Sequence, residues 1–110
     1  MAEASSGNYG GGNIYADGNA VVSECVILEG SAYRRGGNVY AVGGATIQDC
    51  AITNGTCSAN IGGNIYMEAA TVTNSTVYGG SAPAGRAGNI FMNATSSLVV
   101  DCAIANGTGS

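Results

Sequence analysis

Short apolar runs alternate with polar residues along the whole 110-residue chain, and they recur at a fixed interval. β-Branched residues dominate the apolar positions, and Gly-Gly, Asn-Gly and Asp-Gly pairs separate the runs, which predicts short strands rather than helices. The segment Gly-Asn-(Ile/Val)-(Tyr/Phe) occurs four times, with its asparagines 25, 26 and 25 residues apart. A period of this length is typical of a solenoid, in which each repeat forms one coil that stacks on the previous one.

Each repeat contains three runs with β-strand character, followed by a Gly-(Ser/Thr) turn. The first run is the Gly-Asn-Ile-Tyr segment. The second and third are centred on Val22, Ile47, Val72 and Val99, and on Ile27, Ile52, Val77 and Ile104. The sequence therefore predicts an all-β protein, a right-handed parallel β-helix (β-solenoid) of four coils of about 25 residues, with three short strands per coil and no evident caps.

The repeats indicate a single β-solenoid domain over residues 1–110, with coils at approximately 8–32, 33–58, 59–83 and 84–110. In-register stacking sets equivalent residues of successive coils about 4.8 Å apart, and we call such a column of residues a ladder. One residue is missing at Ala69-Ala70 and one is added around Thr95–Ser97. Both changes fit in turns, so the ladders are expected to stay aligned.

Alternation along the first run separates two faces. The Ile/Val side is the more apolar one and is predicted to face inward. The candidate interaction face is then an outer pair of ladders: Asn13, Asn38, Asn64 and Asn89, beside Tyr15, Tyr40, Tyr66 and Phe91. The opposite assignment, with the tyrosines inside, stays open. The asparagines could bind a ligand, or their amides could bond one another along the axis; the rings could bind sugars, or only stack on each other.

Three cysteines, Cys25, Cys50 and Cys102, share one ladder with Ser75, and this ladder is predicted to face the interior. Neighbouring coils would bring Cys25 and Cys50 within the Cα separation that a disulfide allows. We nevertheless expect reduced cysteines that act as small buried side chains. The sequence has no histidine and no close cysteine pair, so a zinc site is not expected.

Catalysis and cofactor binding find little support in the sequence. Without histidine there is no Ser-His or Cys-His pair, and no coil carries the inserted loop that a glycosidase cleft would need. One turn position carries a carboxylate or an amide in every coil: Glu24, Asp49, Asn74 and Asp101. These side chains could bind Ca²⁺ between neighbouring coils, or they could simply face solvent. We expect a protein that is not an enzyme and holds no cofactor or metal.

Charge is scarce. Charged residues make up 9% of the chain, the net charge is -4, and the three basic residues are all arginines, so no basic stripe for nucleic acid exists. No apolar run approaches the roughly 18 residues of a membrane span, so no membrane insertion is expected. Residues 1–4 do not resemble a signal peptide, and we expect a mature or excised segment of an extracellular or cell-surface protein.

The pattern Cys-x-Ile-x-Asn-Gly-Thr, followed by Gly-Gly-Asn-Ile-Tyr, resembles repeats of bacterial cell-surface proteins, the right-handed parallel β-helices of adhesin-type and polymorphic outer-membrane passengers. Those repeats carry a Gly-Gly-Ala-Ile element and a Phe-x-x-Asn element. Here Asn replaces the Ala, and Ile or Val replaces the Phe. The resemblance extends over all four coils and implies a surface scaffold; a more distant one is to the β-helix of pectin-degrading enzymes.

Four coils stack to only about 19 Å, so the two end faces form a large part of the surface. Natural solenoids cover such ends with polar caps, and neither terminus offers one. We therefore expect a non-catalytic structural module that self-associates head to tail into an extracellular filament or surface layer. The alternatives are a carbohydrate-binding adhesin module that holds polysaccharide on the Asn/Tyr face, and an ice-binding solenoid that uses a hydroxyl ladder: Ser31, Thr56, Ser81 and Thr108.

Overall fold

The predicted fold class is confirmed by a computed structural model, which describes residues 12–59, 61–93 and 96–109. The described residues form sixteen short strands, and every pairing between them is parallel. The strands build four sheets, and each sheet takes one strand from each of the four coils. The protein is therefore a β-solenoid of about four coils.

The first sheet contains β1 (Ile14–Ala16), β5 (Val39–Val42), β9 (Ile65–Glu68) and β13 (Ile90–Met92). The second contains β2 (Val21–Ser23), β6 (Thr46–Gln48), β10 (Thr71–Thr73) and β14 (Leu98–Val100). The third contains β3 (Val26–Leu28), β7 (Ala51–Thr53), β11 (Thr76–Tyr78) and β15 (Ala103–Ala105). The fourth contains β4 (Ser31–Ala32), β8 (Thr56–Cys57), β12 (Ser81–Ala82) and β16 (Thr108–Gly109).

The coil has four strands rather than the expected three. The additional strand lies in the Gly-(Ser/Thr) segment, which the sequence pattern predicts to be a turn. It is only two residues long and pairs through registers such as Ser31 with Thr56 and Ser81 with Thr108. A two-residue strand shows no alternation that a sequence pattern could reveal. It exists because the coils above and below offer it hydrogen bonds at the correct spacing.

The core lies between the first three sheets. Val39, Ile47, Ile52 and Ile65 are fully buried and belong to one cluster of apolar side chains. Each lies in a ladder of Ile and Val residues that the strand registers align, such as Ile14, Val39, Ile65 and Ile90.

Some expectations lie outside the described residues. They concern the start of the first coil at residues 8–11, the residue Thr95 within the predicted insertion, and the residues 1–11 and 110 on which the expected lack of caps was judged.

Candidate functional site: the asparagine ladder and the coil ends

Glycines bring two strands of the same coil into backbone contact just before the repeated asparagine. A Cβ atom on Gly37 would overlap the carbonyl oxygen of Gly63 and the backbone of Thr56. A Cβ on Gly55, at the corner before β8, would collide with Gly63 and with the amide of Asn64. The start of β5 therefore lies directly against β8, without room for any side chain except the asparagine itself.

The asparagine amide connects this corner to the coils above and below. The Asn38 Nδ2 group donates to the carbonyl of Thr53 at 2.9 Å and to Asn64 Oδ1 at 2.7 Å. Its Oδ1 accepts from the backbone N–H of Gly30 at 2.8 Å and from Asn13 Nδ2 at 2.6 Å. Asn64 repeats all four bonds one coil further on. Each internal asparagine thus uses its full hydrogen-bonding capacity.

The expectation that the asparagines line an outer face is wrong. Asn38 and Asn64 have no exposed surface, and Asn89 is 7% exposed. A buried amide is tolerated only when its donors and acceptors are paired, and the ladder pairs them. The structure therefore corresponds to the other interpretation of the sequence, in which the amides bond one another along the axis and satisfy a turn.

The two ends of the asparagine ladder are incomplete, and they are incomplete in opposite ways. Among the described side chains, Asn13 Oδ1 is buried without a hydrogen-bond partner. At the other end, Asn89 Nδ2 donates to the Ala105 carbonyl at 2.8 Å but has no asparagine beyond it among the described residues. Within the described part of the chain, no asparagine oxygen accepts from the N–H of Gly107, which is equivalent to that of Gly80. One end lacks donors and the other lacks acceptors.

The aromatic ladder stacks as the sequence suggested, but its central rings are not on an open surface. Ring centroids of Tyr15 and Tyr40 are 5.1 Å apart, those of Tyr40 and Tyr66 are 5.1 Å apart, and those of Tyr66 and Phe91 are 5.6 Å apart. Tyr40 and Tyr66 are buried, whereas Tyr15 is 51% exposed and Phe91 is half-buried. The expected outer aromatic face is therefore wrong at its two central positions.

Arg35 is a contact of the aromatic ladder that the sequence analysis missed. Its guanidinium carbon lies 4.9 Å from the ring centroid of Tyr66 and 5.8 Å from that of Tyr40. Its Nη1 donates to the Tyr40 hydroxyl at 2.9 Å, and this bond is the main cause of a raised Arg35 pKa. The sequence contained one indication that this arginine has a structural role, because Arg35 and Arg86 occupy the same position of the repeat, two residues before the Gly-Asn pair.

The cysteine ladder lies against the apolar core. Cys50 is buried, and Cys25 and Cys102 are partly buried beside the same cluster. All three are free thiols, and the buried Cys57 lies on another ladder, with its thiol 3.6 Å from the Tyr33 carbonyl oxygen. Burial raises the pKa of the Cys50 thiol, which keeps it protonated and unreactive. The thiols donate weakly to nearby carbonyls, for example from Cys50 to Gln48 at 3.1 Å.

The ladder of acidic turn residues lies at a corner of the coil with left-handed backbone. Glu24, Asp49, Asn74 and Asp101 have φ between 50° and 56°, a conformation that Asn and Asp tolerate better than most residues. Asn74 Nδ2 donates to Asp49 Oδ1 at 2.6 Å. Across the described ranges, no group of three or more His, Cys, Asp and Glu residues could hold a metal ion. None of the described segments is a helix long and apolar enough to cross a membrane.

Comparison with known proteins gives no relative. No family model matches the chain, and neither a curated protein nor a solved structure is significantly similar to it. The β-solenoid is therefore established by the structure itself, and any function has to be argued from its residues.

Replacing Asn64 by Ala is expected to lower the free energy of unfolding by about 2–4 kcal/mol, because it leaves the Gly55 N–H and the Tyr78 carbonyl buried without partners. Asn13→Ala is the matched control at the ladder end. It removes bonds to Leu28 and Asn38 only, so about 1 kcal/mol is expected. Urea titration at a concentration where the chain is monomeric measures both values. Equal losses in the two variants would contradict the central role of the buried ladder.

Because the Tyr66 hydroxyl is buried, the protein is expected to lose stability at alkaline pH. Burial, the largest cause, raises the Tyr66 pKa above its ordinary value, against the opposing effect of Arg35. The contribution of Tyr66 to the free energy of unfolding is therefore fully present below about pH 10. It is lost as the pH rises further, because the Tyr66 hydroxyl then ionises more readily in the unfolded chain than in the folded one. Tyr66→Phe should reduce this fall, at a cost of about 1 kcal/mol for the lost hydrogen bond from Asn93. Phe91 on the same ladder shows that the ring alone fits. Melting curves at pH 8 and pH 11 provide the comparison; an unchanged pH dependence in the variant would refute it.

Proposed function

We propose that this chain is a non-catalytic structural module that associates end to end with further copies of itself. The observation that carries the proposal is a hollow at each end of the apolar core, lined by residues that the structure describes. A hollow of about 480 Å³ at the C-terminal end is lined by Ile90, Val99 and Ile104. A second hollow of about 330 Å³ at the N-terminal end is lined by Ile14, Cys25 and Ile27. The middle members of the same ladders are buried, as is Ile27, whereas Ile104 at the C-terminal end is 46% exposed.

Outward-facing positions near the ends support the same conclusion. In the two middle coils, the outward residues of the second sheet are Thr46, Gln48, Thr71 and Thr73. In the end coils, the equivalent residues include Val21, Leu98 and Val100, all of them exposed. Val26, on the outer side of β3, is 73% exposed. Exposed apolar side chains therefore lie in both end coils, where a neighbouring coil would shield part of their surface from water.

The setting that we propose is an extracellular filament or surface layer. It rests on the resemblance of the repeat to adhesin-type bacterial surface β-helices, and on a surface made mostly of hydroxyl and amide groups with few charges. A sugar-binding role on the aromatic ladder is not proposed, because the burial of Tyr40 and Tyr66 leaves no open platform for a sugar ring.

Sedimentation velocity between low and high micromolar concentration tests the proposal. The expected result is a series of species larger than the 10.8 kDa chain, with filaments visible by electron microscopy. Ile104→Lys should abolish these species, since it places a charge in the open core. Thr76→Lys adds the same charge to an exposed position of a middle coil and should leave association intact. Monomers at every concentration would refute the proposal, as would equal association of both variants.

A further inference from the structure

The asparagine ladder has a direction, and that direction defines how two ends can meet. Wherever two coils adjoin, the Oδ1 atom of the later asparagine accepts bonds from the earlier coil, and the Nδ2 atom of the earlier asparagine donates to the later one. The coil at the N-terminal end therefore holds the unpaired acceptor of the ladder, Asn13 Oδ1, which is buried without a partner, so a donor from a second copy has to displace the atoms that cover it. The C-terminal end presents two donors in the geometry that binds such an acceptor elsewhere in the ladder, Asn89 Nδ2 and the N–H of Gly107.

We infer that the partner of each end is the opposite end of a second copy, joined in register so that Asn89 and Gly107 of one chain donate to Asn13 of the next. This inference rests on the proposed function and adds the polarity and register of the junction. Two N-terminal ends would set one acceptor against another, and two C-terminal ends would set donors against donors. Neither arrangement satisfies the amides, whereas the head-to-tail junction repeats the bonds of the internal coils.

Backbone groups at the two ends have the same complementarity. Between coils, the N–H of Thr56 donates to the Gly30 carbonyl at 2.9 Å, and that of Thr108 donates to the Gly80 carbonyl at 2.9 Å. By continuation, the N–H of Ser31 in the next copy donates to the carbonyl of Gly107. In the other direction, Glu24 donates to Gln48, so Asp101 donates to Ser23 of the next copy. Every sheet then continues across the junction without a change of spacing.

The same register defines which side chains meet across such a junction. The register sets Leu98 beside Val21, and Ile104 beside Ile27, of the next copy, so the exposed Leu98, Val21 and Ile104 gain apolar neighbours across the junction. Val100 comes to lie beside Ser23, both on the outer side of the second sheet. These two residues of different copies are then about 4.8 Å apart, which is close enough for a disulfide.

A pair of introduced cysteines, Ser23→Cys and Val100→Cys, detects the junction through a disulfide between two copies. The native cysteines are first removed by substitutions that the ladders already contain. Cys25, Cys50 and Cys102 become Ser, as at Ser75, and Cys57 becomes Ala, as at Ala32 and Ala82. Within one chain, positions 23 and 100 are three coils apart, about 14 Å, so they cannot pair with each other. Circular dichroism and sedimentation first establish that this background folds and associates as the unaltered chain does.

Mild oxidation of this variant, followed by mass spectrometry of the linked peptides, is expected to give covalent oligomers joined by position 23 to position 100. Predominant links from 23 to 23, or from 100 to 100, would overturn the inferred polarity while leaving end-to-end association in place. Oligomers without any of these links would overturn the inferred register and with it the use of the end faces. Monomers throughout would overturn the proposed function itself.

Asn13→Ala in the same background tests the acceptor directly. Removing two hydrogen bonds from the junction is expected to lower the yield of the 23-to-100 link about tenfold or more at subsaturating concentration. Asp17→Ala changes an exposed side chain of the same coil and is expected to leave the yield unchanged. An undiminished yield for Asn13→Ala would overturn the role assigned to Asn13, provided that its circular dichroism matches that of the control.

Discussion

The buried amide of the Gly-Asn segment is the interaction on which the rest of this structure depends. The coil brings the start of its first strand against its fourth strand, at a distance that only glycine backbones permit. Such a contact buries backbone groups that need partners, and the asparagine supplies both a donor and an acceptor. Without it, the Gly30 N–H and the Thr53 carbonyl would lose their partner. The pairing of the sheets, the apolar core and the stacking of the aromatic rings all require a closed coil, and this amide closes it.

An interaction that closes a coil by bonding to its neighbours cannot be completed within a single coil. Each asparagine takes its acceptor from the coil above and its donors from the coil below, so the ladder always ends with unsatisfied groups. The apolar core has a related property, because the described residues leave a hollow at each of its ends. The asparagine ladder that stabilises the interior thus leaves unpaired groups at its ends, and a further coil would pair them. This connection between closure and extension is the physical basis of the proposed assembly.

The sequence predicted the repeat, the parallel stacking and the ladders, because each depends on a period that the chain displays four times. It did not predict the face on which the asparagines lie. Alternation along Gly-Asn-Ile-Tyr separates Asn from Ile but does not reveal that both sides are covered. The missing information was the contact between Gly37 and the backbone at Thr56, which arises from the closure of the coil in three dimensions. The burial of Tyr40 and Tyr66, with Arg35 over their rings, likewise depends on a connection that returns across the first sheet.

One signal in the sequence did favour the buried asparagines. Outward positions differ from coil to coil, as Val21, Thr46, Thr71 and Leu98 show, whereas the asparagine is the same in all four coils. A position that no coil varies is under a geometric requirement, and here the requirement is a side chain that can donate and accept at once.

Helical reconstruction of the assembled filament by electron cryo-microscopy tests the central claim most directly, because it resolves the junction itself. We predict a rise of about 19 Å for each chain, four rungs of uninterrupted parallel sheet, with Asn89 Nδ2 of one copy within hydrogen-bonding distance of Asn13 Oδ1 of the next. A gap between chains, an antiparallel junction, or a lateral packing that leaves Asn13 Oδ1 without a donor would contradict it.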